Sequence, residues 1–95
     1  MPETYLTLKW PDGSVSEEYS PSSIIRSFFT PGETLDIATF LTRARLAMSQ
    51  ASARVQQVHG FPCARARATL ASLEAKSGIF LNTPDAGVTI LDLQT

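Results

Sequence analysis

"VQQVHGFPCARARATL", residues 55–70, decides how this chain folds, because it ends one long amphipathic helix and starts another. Gly60 is a natural stop, since a left-handed backbone costs glycine nothing, and Pro62 restarts the chain with its ring already at a helical φ. Upstream, the helix begins near Asp36, whose carboxylate suits an N-cap, and runs to His59. Along it Phe40, Ala44, Met48, Ala51, Val55 and then Val58 or His59 recur every three or four residues. Downstream, Cys63, Ala66, Leu70, Leu73 and Ser77 keep the same spacing from Pro62 to Ser77, and Gly78 is read as the stop. Ala44, Ala47, Ala51 and Ala53 let a second helix approach closely, so the two form an antiparallel hairpin; the same geometry would serve a helical dimer.

The flanking segments read as strands. "TYLTLKW" alternates, with Leu6, Leu8 and Trp10 on one face and Tyr5, Thr7 and Lys9 on the other. "PDGS" is an Asp-Gly turn signal, and "SVSEEY" returns through Val15 and Tyr19 as the more solvated partner, giving a hairpin over residues 4–19. "SPSS" offers a serine N-cap with proline at the first helical position, so "SSIIRSFF" is a short helix that stops before "TPGET". After "IFL" and the loop "NTPDAG", "VTILDL" is a final strand. The order β-β-α-α-α-β predicts an α+β two-layer sandwich, in which a three-stranded, mainly antiparallel sheet is packed by the helical hairpin. The final strand belongs beside the first, at the centre, and an open edge remains.

Ninety-five residues, 43% apolar and 18% charged, fit one small domain over 1–95, near the lower end of what buries a self-sufficient core. Such a chain buries only about 60–65% of the surface it exposes when unfolded, so its stability is marginal or shared with a partner. A single cysteine excludes an intramolecular disulfide, and "MPETYLTLKW" lacks the basic flank and apolar run of a signal peptide, which predicts a cytoplasmic protein. Uninterrupted apolar runs stop at three residues, far short of a membrane span. Net charge is −1, but it is unevenly spread: six arginines lie between Arg26 and Arg67 against Glu33 and Asp36, while the remainder sets Lys9 and Lys76 against seven acids. That asymmetry permits a small anionic ligand or an electrostatically matched partner.

Cys63 and His59, the only residues of their kinds, stand four apart. Early in a helix a thiol meets unpaired amide groups and a dipole that favour the thiolate, which would make Cys63 a nucleophile or redox sensor with His59 as its base. Against this, free cysteine is among the most often buried residue types, and Cys63 shares a stripe with Ala66 and Leu70. A histidine in a last turn serves equally to meet the helix's C-terminal carbonyls. One Cys and one His supply at most half a tetrahedral metal site, and the isolated glycines form no phosphate-cradling loop. Thus no metal and no cofactor is expected. Arg43 and Arg54 fall along one helical flank and Arg65 follows the corner, so the three could hold a carboxylate or phosphate; ordinary pairing with Glu17, Glu18 or Asp92 is the simpler use. The negative net charge and the long helices argue against a nucleic-acid reader.

"KWPDGS", "YSPSSII", "TPGETL", "FLTRARLAMSQASARV" and "GFPCARARATLASLEA" together resemble a family of short bacterial nitrogen-starvation-response proteins, over nearly the whole chain. Members of that family are encoded in nitrilase-type gene clusters, beside a nitrilase, a radical-SAM protein, an acetyltransferase, a flavoprotein and a glycosyltransferase. The resemblance implies a small accessory protein in nitrogen metabolism and carries no catalytic role to any position. The expected function is therefore non-catalytic: binding a protein partner or a second copy. The alternative is a small thiol- or anion-binding enzyme or ligand sensor centred on Cys63.

Overall fold

The computed structural model describes residues 3–60 and 64–95. β1 (Thr4–Lys9) and β2 (Val15–Ser20) pair antiparallel from Thr4↔Ser20 to Lys9↔Val15. Their turn is set by Asp12, whose Oδ1 accepts from the Ser14 amide and hydroxyl at 2.9 and 2.6 Å, and by Gly13, whose φ of 88° a side chain would resist. Leu6, Leu8 and Trp10 are buried, as their alternation requires.

A short 3-10 helix (Ser23–Ser27) follows. Its cap is Ser22, which accepts from the Ile24 amide, and not the serine before Pro21. Ser20 still belongs to β2, and its hydroxyl donates to the Ser22 carbonyl at 2.8 Å.

The predicted sheet lacked one strand. β3 (Thr34–Asp36) adds to the last strand, β4 (Gly87–Gln94), and the order is β2-β1-β4-β3, antiparallel throughout. Three residues are too few to show alternation, so "TPGETL" reads as a turn. Its strand forms because Gly32, at φ 92°, turns the chain back: the Gly32 amide donates to the Ile90 carbonyl at 2.7 Å, and the Ile90 amide to the Glu33 carbonyl at 2.8 Å. The final strand does lie beside the first at the centre, and β2 and β3 become the edges.

α1 (Ile37–His59) is capped as its sequence indicates. Asp36 accepts from the Thr39 amide and hydroxyl, and Gly60, at φ 80°, donates its amide to Gln56. Phe40, Ala44, Ala47 and Met48 belong to the main core; Ala51 and Val55 are buried outside it. Val58 and His59 are exposed, because the last turn runs beyond the main core.

α2 (Ala64–Phe80) runs through Gly78 instead of stopping there. Glycine inside a helix costs about 1 kcal/mol, and continuing brings Phe80 onto the Trp10 ring, 6.4 Å between centroids and 19° from parallel. Ala66, Thr69, Leu73 and Ser77 form the buried face and Leu70 packs at its margin. The predicted first residues of this helix, Pro62 and Cys63, lie outside the described residues. The helices are tied by Arg45, which donates Nε and Nη2 to Glu74 Oε2 at 3.1 and 2.9 Å.

β4 carries a bulge. Thr7 pairs with Asp92 but Leu8 with Ile90, so Leu91 is the extra residue and projects outward. The offset lets both Ile90 and Leu93, three apart, face the core. There Phe29 and Trp10 flank Phe40, each with ring centroids 5.6 Å from it. Side chains of this size contribute about 1.5–3 kcal/mol each on full burial.

Candidate functional site

Among the described candidates, Arg43 and Arg65 take different partners. Arg43 donates Nη1 to Glu33 Oε1 at 3.1 Å and to the Phe28 carbonyl at 3.4 Å, on the flank of α1 that faces the 3-10 helix and β3. Arg65 goes to the opposite flank, where its guanidinium carbon lies 3.8 Å from the centroid of the Tyr19 ring. Arg54 is exposed on α1. His59 is the exposed last residue of α1, and Cys63 lies outside the described residues. The expected pairing of arginines with Glu17, Glu18 or Asp92 is also replaced: Arg43 takes Glu33, Arg45 takes Glu74, and Glu18 goes to Lys76. Glu33 and Glu74 lie next to these arginines in space, whereas alternation along β2 turns Glu17 outward.

Most charged groups thus have structural work. Lys76 Nζ donates to Glu18 Oε2 at 2.9 Å, and the Glu18 side chain is only 7% exposed, facing inward from an edge strand. Arg26 donates to Thr95 Oγ1 at 2.8 and 3.0 Å and to the Leu93 carbonyl at 3.0 Å, holding the end of β4. Two carboxyls are held below the usual aspartate range, and both are capping groups. For Asp12 the cause is chiefly the Ser14 hydroxyl, then the Ser14 amide; for Asp36 it is the Thr39 hydroxyl, then the Thr39 amide. Among the described residues no three His, Cys, Asp or Glu side chains gather as a metal would need, and no helix is long and apolar enough to cross a membrane.

What the sequence reading missed is an apolar slot of about 350 Å³ where the β1–β2 turn meets the end of α2. Trp10, Val15, Ile79 and Phe80 supply its walls, with Lys76 on the helix rim and Asp12 on the turn rim. Its volume falls within the range of small-molecule and side-chain pockets. Ile79 and Val15 are 72% and 59% exposed, the two largest exposures among apolar residues at this end. The polar atoms around the slot are engaged inside the chain: Trp10 Nε1 donates to Ser16 Oγ at 2.8 Å, Lys76 holds Glu18, and Asp12 Oδ1 holds Ser14. What the slot offers is chiefly apolar contact. No sequence motif announces it, since Trp10 and Phe80 meet only because α2 continues past Gly78.

The fold and this site define a small α+β protein with an open apolar recess. A family model described as nitrogen starvation-induced protein NitG matches residues 5–93, and the chain belongs to that family. No curated protein and no solved structure matches it.

Proposed function

We propose that this NitG-family chain is a non-catalytic accessory protein of the nitrogen-starvation response, acting in the cytoplasm by binding protein, either a second copy of itself or an enzyme of the nitrilase-type gene cluster that its resemblance implies. The observation that carries this reading is the slot: an apolar recess opens to solvent while the polar groups around it are bonded within the chain. An enzyme needs reactive groups aimed at a substrate; a docking surface needs exposed apolar area with a satisfied polar rim. Pairing of Arg43 with Glu33 and stacking of Arg65 on Tyr19 weigh against the thiol- or anion-using alternative.

The test is isolation of the tagged protein from nitrogen-starved cells, as wild type and as Cys63→Ala. The accessory role predicts the same stoichiometric protein partner with both. A chain recovered alone, whose Cys63 is alkylated rapidly at neutral pH in the native state, would transfer the function to the thiol.

A further inference from the structure

We propose that the slot is a self-association site whose occupant is a second copy of this chain: in a twofold dimer Ile79 of each copy enters the slot of the other, and Lys76 of each faces Asp12 of the other. This deepens the binding role just proposed by naming the occupant.

The argument begins with Ile79. It is 72% exposed on the penultimate residue of a helix, an apolar knob that solvent does not favour, and it stands on the rim of an apolar hole. A knob beside a hole on one surface is what an isologous interface requires, because a twofold axis sets each knob against the partner's hole. Val15, across the slot and 59% exposed, widens the apolar contact, and Trp10 and Phe80 supply the rigid aromatic floor typical of the centre of an interface.

Charge at the rim is self-complementary as well. Lys76 stands on the helix side and Asp12 on the turn side of the slot. Each keeps capacity for another bond: the Lys76 ammonium has three donors, with one directed to Glu18, and the exposed Asp12 carboxylate has more acceptor sites than its Oδ1 bonds to Ser14 use. In the proposed dimer the twofold axis sets helix rim over turn rim, with each lysine against an aspartate.

The other routes to a dimer are weaker. The β2 edge carries an inward-facing carboxylate at Glu18 and is flanked by Lys76 and Arg65, features that discourage strand addition. The β3 edge is three residues long. Of the alanine stripe of α1, Ala44, Ala47 and Ala51 are already buried within the chain, and only Ala53 is exposed.

Sedimentation equilibrium on the full chain, from micromolar to hundreds of micromolar, tests the proposal. Wild type should approach twice the chain mass of 10.3 kDa, and Ile79→Asp should raise the dimer dissociation constant at least about thirtyfold, the factor that a central interface side chain carries. Ile79 is exposed, so circular dichroism should show the variant folded. An independent arm mixes two differently tagged chains in a Cys63→Ala background, one with Ile79→Cys and the other with Val15→Cys; a disulfide between the two tags supports the geometry. A chain that stays monomeric overturns the proposal, as does a dimer indifferent to Ile79→Asp or a mixture that forms no mixed disulfide. A monomer that still co-purifies with another protein sinks the second-copy occupant while leaving the accessory role standing.

Discussion

The guanidinium of Arg65 lies over the Tyr19 ring, 3.8 Å from its centroid, and so joins the start of α2 to the outer face of an edge strand. Tyr19 in turn meets Tyr5 edge to face, with centroids 5.9 Å apart and planes at 65°. The contact fastens the helix layer round the side of the sheet; at an exposed site it is worth about 0.5–1 kcal/mol.

Two ion pairs among the described residues, Lys76–Glu18 and Arg45–Glu74, should rank by burial. Lys76→Met strands the Glu18 carboxylate, nearly closed to water, and should cost about 1–3 kcal/mol. Arg45→Met removes a pair whose side chains are 56% and 41% exposed, and should cost about 0–1 kcal/mol. Urea unfolding of both variants measures the difference, and adding Glu18→Gln to Lys76→Met should recover part of the larger loss. Equal costs would remove the distinctive weight given to Glu18.

Gly87 is glycine for want of room. A Cβ there would sit 3.0 Å from Thr34 Cγ2 and 3.4 Å from the Leu35 carbonyl oxygen. Gly87→Ala should destabilise by about 1–2 kcal/mol through overpacking between β3 and β4. Thr34→Ser deletes that methyl but keeps the hydroxyl that bonds Thr89 at 3.0 Å, so the double variant should regain most of the loss. If it regains nothing, the clash is elsewhere.

Ser77 is fully buried on α2, and its hydroxyl has no hydrogen-bond partner. Ser77→Ala removes a desolvated polar group and substitutes a better helix former, so the variant should be more stable by about 1 kcal/mol. A lower thermal midpoint would mean that the hydroxyl is satisfied in solution.

Acid should loosen the cap of α1. Because bonds from Thr39 hold Asp36 below the ordinary aspartate range, its charged form contributes stability that is present above the unfolded value of about 3.9 and is lost as pH falls through the lower folded value. Asp36→Asn keeps an N-cap acceptor but removes the titration, so stability measured from pH 6 to pH 3 should fall less steeply than in wild type. An unchanged acid limb would dissociate Asp36 from it.

Much of the fold is legible in local chemistry. Asp12-Gly13, Asp36 and Gly60 mark the first turn and both ends of α1, because their preferences depend on backbone geometry within a few residues. Features set by distant partners are not legible in the same way. β3 exists through bonds between Gly32, Glu33 and Ile90; α2 outlasts Gly78 because Phe80 finds Trp10; the bulge at Leu91 answers the spacing of Leu6 and Leu8 on the neighbouring strand. The slot belongs to this second group, being assembled from the first hairpin and the end of the last helix. Candidate residues chosen for their chemistry, Arg43 and Arg65 above all, take their roles from whichever neighbour the packing supplies.

Because β4 lies between β1 and β3, residues 87–94 are the keystone of the sheet. Until they leave the ribosome, the hairpin has no central neighbour, β3 has nothing to pair with, and Leu6 and Leu8 face an unfinished wall. The sheet therefore closes only once residues 87–94 are present, through contacts between positions more than eighty residues apart such as Leu6 and Leu93. Long-range closure of this kind slows folding, because the entropy of closing so long a loop is lost before the contacts form.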